Sequence, residues 1–261
     1  DIANPFFSQL ARIIEDEAID HSHMVIFGSS DEDCAKSESL IETFLNRQVD
    51  GLIIVPSEGC GKQIIGLVKK EIPLVLIDRY MPNIETNYVV LDNYEAVYKA
   101  TVHLVIKGYK RIGMIAYKNS LIHMTERTRG YEQAMKDCHL SNEVRVKKIP
   151  FHTLQHETEK MIKDAILEWK PEAMIFATNA LSLSGLYSIQ DIGIKVPEEL
   201  AIVGFDGNEA FDFFYSPLTY VKQPVLEMGK EAVRVLIDQI EGSKKISQIS
   251  LSAQLVLRNS C

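Results

Sequence analysis

Strand-like and helix-like segments alternate along this chain from end to end, and that alternation restricts its fold more than any single motif. Short apolar runs stand at 24–27, 51–55, 74–77, 88–91, 111–116, 144–149, 173–177, 200–205 and 219–221. Between them, apolar residues recur at helical spacing, which predicts helices from residue 5 and over 36–47, 60–71, 93–107, 126–138, 155–168, 180–191 and 225–241. A repeated strand–helix order gives parallel sheets with helices on both faces, because a parallel return needs a crossover. The punctuation agrees: Asn4 precedes Pro5 as an N-cap before a first-position proline, and Gly108 closes the fourth helix.

The strand–helix period renews near residue 111, which predicts two similar lobes. With no low-complexity linker, the crossings fall near 92, 222 and 252. One lobe then holds 1–91 plus 223–251 and the other 92–222 plus 252–261, with a final strand at 249–257 crossing back. A chain of 261 residues, 46% hydrophobic, can bury cores for both. Its net charge of −8 argues against gripping DNA phosphates unaided. No apolar run approaches a membrane span and no signal pattern opens the chain, so the expectation is a soluble, cytoplasmic protein. Cys34, Cys60, Cys138 and Cys261 are scattered without a CxxC pair, which suits reduced thiols.

Catalytic and metal motifs fail on inspection. The loop at 59–63 has Pro56 where a phosphate loop begins with glycine, and Gln63 where it needs Ser or Thr. The acidic cluster Asp31, Glu32 and Asp33 is followed by Lys36 where a calcium loop needs glycine, and reads as a helix start. His152 and His156 enclose no glutamate of the HExxH kind, and GxSxG is absent. No cofactor, metal or catalytic residue is expected, and an enzyme is the least supported class.

Asp78, Asn179 and Asp206 stand where predicted strands end, and Arg127 stands at the predicted start of the helix after 111–116. In open α/β sheets ligands bind beyond the carboxyl ends of the strands, so these four would share a ligand-facing rim; each could equally cap the turn beside it. Carboxylates accept, a guanidinium donates in a fork and an amide does both, a set suited to a polyol. Phe6 is either core or a ring available for stacking on a sugar. The aromatic run Phe211, Phe213, Phe214 and Tyr215 is too rich for a plain surface loop and suggests an interface, with core packing or cleft lining as the alternative.

NPFF at 4–7, VDGLIIVP at 49–56, LVLIDR at 74–79, RTRGYEQA at 127–134, VPEELAIVGFDG at 196–207 and LVLRNS at 255–260 occur in an order that resembles the effector-binding core of lactose-repressor (LacI/GalR) family transcription regulators. The resemblance implies two periplasmic-binding-protein-like lobes (type I) with an interlobe cleft for a small sugar-like effector. It assigns Arg127, three residues before Gly130, and Asn179, six before Gly185, to effector contacts. Asp78 and Asp206 match carboxylates that accept from ligand hydroxyls, and Phe213, Phe214 and Tyr215 match a homodimer contact. It also implies an apolar strand, a hinge and a helix-turn-helix headpiece upstream of Asp1, with operator DNA bound only through that headpiece. The alternative is a solute-binding protein of a sugar transport system, which shares the two-lobed fold.

Overall fold

The computed structural model describes residues 2–207 and 209–261. Its contacts divide the chain into two units, Asp1–Leu91 with Pro224–Leu251 and Asp92–Gln223 with Ser252–Cys261.

The first unit is built on a parallel sheet of β1 (Leu52–Ile54), β2 (Leu74–Ile77), β3 (Asn87–Leu91) and β9 (Gln248–Leu251), in that order. β2 is buried at every residue, as a strand covered on both faces must be. One cover is α1 (Pro5–Asp20) with α9 (Val225–Ile240). Phe6, Leu10, Ile14 and Ala18 repeat every four residues down α1 and form its buried stripe. Gly229 lets α9 close on it, since a Cβ there would stand 2.5 Å from Ile13 Cγ2. The other cover is α2 (Cys34–Asn46) and α3 (Gly61–Lys69), whose Ile41, Phe44, Ile64 and Leu67 pack with Leu52, Leu74 and Leu76. Burying one such side chain contributes about 2 kcal/mol.

Residues 24–27 depart from expectation. They are not a strand but an unpaired segment with Met24 90% exposed. β1 is the sheet's edge among the described residues, and both it and this segment line one apolar cavity of about 360 Å³. An apolar pattern alone does not make a strand; the ladder needs a neighbour, and among the described residues none pairs with 24–27.

The second unit holds a sheet in the order β10–β8–β7–β6–β4–β5. Its strands are β4 (Ile112–Lys118), β5 (Arg145–Pro150), β6 (Ala173–Phe176), β7 (Ala201–Phe205), β8 (Thr219–Lys222) and the antiparallel edge β10 (Gln254–Val256). The single final strand expected at 249–257 is therefore two, β9 and β10, one in each unit's sheet. The helices are α4 (Asn93–Ile106), α5 (Ile122–Asp137), α6 (Gln155–Trp169), α7 (Asn179–Ile192) and the short α8 (Glu209–Phe213), which the pattern did not predict.

Two glycines set helix positions in this unit. A Cβ on Gly130 would lie 2.3 Å from the Tyr94 carbonyl oxygen, so only glycine lets α5 press against α4. A Cβ on Gly185 would lie 2.3 Å from the Phe176 ring, so α7 rests on the end of β6 in the same way. Tyr131 fixes α5 to the sheet: its hydroxyl donates to the Ile112 carbonyl at 2.6 Å and accepts from the Arg145 N–H at 3.0 Å. Burial pushes its pKa up to about 12, so it stays a neutral donor. Buried Ser260 stitches the carboxyl terminus to β7 and β8, donating to the Ile202 carbonyl at 2.6 Å and accepting from the Thr219 N–H at 2.8 Å.

The cysteines also differ from expectation. Cys34 and Cys60 form a disulfide with Cα atoms 5.5 Å apart, while Cys138 and Cys261 are free. A pairing across 26 residues of sequence leaves no local spacing signal.

Candidate functional site

The carboxyl-terminal rim of the second unit's sheet brings Arg127, Asn179 and Asp206 together. Asp206 is the first residue beyond β7; its N–H still reaches the Val221 carbonyl at 2.9 Å, and its φ of 58° then turns the chain off the sheet. Aspartate tolerates that left-handed conformation better than most residues, which suits a carboxylate at this bend. Asp206 Oδ1 accepts from Gln223 Nε2 at 2.8 Å, and its carbonyl accepts from Asn179 Nδ2 at 3.3 Å. Asn179 is the first residue of α7, whose N-cap Thr178 accepts from the Leu181 N–H.

Arg127 does not open its helix, as the periodicity suggested. α5 begins at Ile122, placing Arg127 in its second turn and 3% exposed. Its Nε donates to Asn93 Oδ1 at 2.7 Å and its Nη1 to the Ala177 carbonyl at 2.6 Å. The guanidinium carbon lies 3.6 Å from the Phe205 ring centroid, a cation–π contact. The spacing to Gly130 now has a cause: the glycine seats α5 on α4 at Tyr94, and that seating brings Arg127 to the neighbouring Asn93.

An aromatic pair continues the rim. Tyr117 at the end of β4 meets Phe151, just beyond β5, edge to face at 5.0 Å. Burial raises the Tyr117 pKa, partly offset by a hydrogen bond with Thr178. Tyr117, Phe151, Asn93 and Gln223 were not picked out from sequence. Gln223 stands two residues beyond the apolar run 219–221, and Tyr117 directly follows the run 111–116, the positional signals that could have marked them.

In the first unit, Asp78 holds the corresponding position beyond β2, with its N–H on the Val89 carbonyl at 3.1 Å and a φ of 69°. It is 5% exposed, and its Oδ2 accepts from Arg79 Nε at 3.1 Å. Arg79 also donates to Glu32 at 2.8 Å. Burial opposes the guanidinium charge, but Asp78 and Glu32 outweigh it and raise the Arg79 pKa. Phe6 is placed differently from its sugar-stacking expectation: it is 6% exposed in the core with Leu10, Val75 and Met228. In the aromatic run, Phe211 is buried and Phe214 packs partly on the second unit's core, while Phe213 and Tyr215 are 86% and 65% exposed. Among the described residues, no group of three or more His, Cys, Asp or Glu could hold a metal, and no helix is long and apolar enough to cross a membrane.

Parallel α/β sheets with polar residues at the carboxyl ends of their strands are the architecture of periplasmic binding protein-like domains, and residues 101–261 match that family. Over its whole length the chain is 30% identical to the HTH-type transcriptional repressor CytR of Escherichia coli (strain K12), covering 76% of it. It is 27% identical over 243 residues to the repressor PurR of Aliivibrio salmonicida, covering 91% of this chain and 72% of that protein. Transcription regulator CcpA of Lactococcus lactis superposes with a TM-score of 0.88 at 26% identity, covering 100% of this chain and 96% of that one. A LacI family regulator from Enterococcus faecium, solved with bound ribose, shares the fold at a TM-score of 0.86 and 22% identity, covering 100% and 95%. The chain belongs to the LacI family of transcriptional regulators and spans its effector-binding core.

Proposed function

We propose that this core senses a small polyhydroxylated effector, a sugar or sugar derivative, and that Arg127, Asn179, Asp206 and Asp78 contact it. The observation that carries the reading is the convergence of Arg127, Asn179 and Asp206 on one strand-end rim, supplying fork donors, an amide and a carboxylate. The ribose-bound fold neighbour supports the same chemistry, and the repressor relatives support the regulatory role. Effector binding shifts the population between two arrangements of the core, and a helix-turn-helix headpiece on the whole protein reads that shift as operator affinity. The protein acts in the cytoplasm as a homodimer, with Phe213 and Tyr215 as the exposed apolar part of the contact. No catalytic step is assigned to it.

The test is a thermal-shift and calorimetry panel of pentoses, hexoses, disaccharides, sugar phosphates and nucleosides. At least one is expected to raise the melting temperature in proportion to its concentration. A panel without a single binder would contradict a sugar-class effector.

A further inference from the structure

We propose that Cys34 and Cys60 are a reversible thiol–disulfide site that exchanges with low-molecular-weight disulfides and tethers the loop carrying Glu32. The inference goes beyond effector sensing and needs no knowledge of the effector.

Three observations carry it. The two Cα atoms are 5.5 Å apart, within the range a disulfide spans, so pairing requires no backbone movement. Cys34 is the first residue of α2 and Cys60 the N-cap of α3, so two helix N-termini favour the anionic thiolate as the attacking species. Gln63 donates through Nε2 to the Cys34 carbonyl at 2.6 Å and to Cys34 Sγ at 3.3 Å, while its buried Oε1 has no hydrogen-bond partner among the described residues. A reduced thiol supplies an S–H donor beside that amide; a disulfide supplies none. With the bond formed, the amide beside Cys34 keeps its buried Oε1 without a partner, so reduction adds a donor to a neighbourhood that holds an unsatisfied acceptor.

The loop ahead of Cys34 is the element such a bond controls. Asp31 and Glu32 take consecutive left-handed conformations, with φ of 52° and 61°, a costly arrangement that persists only where neighbours enforce it. The enforcing contacts are Ser29 on Asp31, Lys36 on Asp31, the Asp33 cap on Lys36 N–H and the Glu32–Arg79 ion pair. Arg79 in turn holds Asp78, so the cysteine pair adjoins a chain of charges ending at a candidate effector contact.

The chemistry balances with an external disulfide RSSR. Half-buried Cys34, as thiolate, attacks one sulfur, forming Cys34–S–SR and releasing RS⁻. The Cys60 thiolate attacks the Cys34 sulfur, forming the protein disulfide and releasing the second RS⁻. The two protons lost by the cysteines end on two RSH, and two electrons pass from protein to RSSR.

The test equilibrates the protein in glutathione buffers from fully reduced to fully oxidised, then alkylates it under denaturing conditions. Four thiols are expected to react in the reduced buffers and two, Cys138 and Cys261, in the oxidised ones, with a Cys34–Cys60 peptide by mass spectrometry. Amide exchange over residues 29–33 should slow by roughly fivefold or more on oxidation, and Cys34→Ser should abolish that difference. Should Cys34→Ser not fold, the native protein in the two buffers carries the comparison. Four reactive thiols in every buffer, a bond that no reducing buffer opens, or equal exchange at 29–33 in both forms would overturn the proposal.

Discussion

The guanidinium of Arg127 lies on the face of the Phe205 ring, 3.6 Å from its centroid, with its Nε on Asn93 and its Nη1 on the Ala177 carbonyl. One side chain therefore ties α5 to α4, β6 and β7 while standing at the rim proposed for the effector. Lysine keeps the charge but loses the planar fork and the flat stacking surface. Arg127→Lys is expected to cost about 1–3 kcal/mol of stability in urea denaturation and to weaken effector binding at least about tenfold. Unchanged stability would mean that these contacts do not hold in solution.

Glu172 offers a pH test of the second unit. Backbone N–H groups of Lys110 and Arg111 donate to its carboxylate at 2.7 and 3.0 Å and lower its pKa, joining the entries to β4 and β6. A lowered folded pKa means that the unfolded chain binds more protons between the two values, so stability rises with pH there. The contribution is complete above the ordinary glutamate range and lost as pH falls through the folded value. Glu172→Gln should therefore lower stability by about 1 kcal/mol at pH 7, with the gap to the native protein closing in acid. A gap independent of pH would assign the loss to packing.

Much of this architecture was legible because each signal was local. Short apolar runs marked β2, β6 and β7, and Pro5 behind Asn4 marked the start of α1. Where one element depends on another, the sequence was silent or misleading. Residues 24–27 carry a strand pattern, but among the described residues no neighbouring strand completes the ladder. Arg127 looked like a helix start because no capping residue marks the true one; the N-cap, Leu121, makes no side-chain bond. Its partner Asn93 lies 34 residues away and shares no pattern with it. Phe6 has the same apolar spacing whether it faces a core or a ligand, and only the packing of α1 on α9 distinguishes the two.

Self-association is expected to depend on the exposed aromatics. Phe213 is 86% exposed and contributes little to its own unit's core, so Phe213→Asp should leave the fold intact while raising the dimer dissociation constant at least about tenfold in sedimentation. Unchanged association would place the interface elsewhere.

Asp206 decides the account most directly. Asparagine fits its left-handed backbone equally well and can keep the bond from Gln223, so Asp206→Asn removes charge with little change of shape. The measurement is calorimetry of the native protein and Asp206→Asn with the tightest binder of the sugar panel, beside the ligand-free melting temperature of each. The predicted result is affinity lower by about tenfold or more with ligand-free stability within about 0.5 kcal/mol. Equal affinity for the two proteins, with a fall in ligand-free stability instead, would contradict it and leave Asp206 as the turn that follows β7.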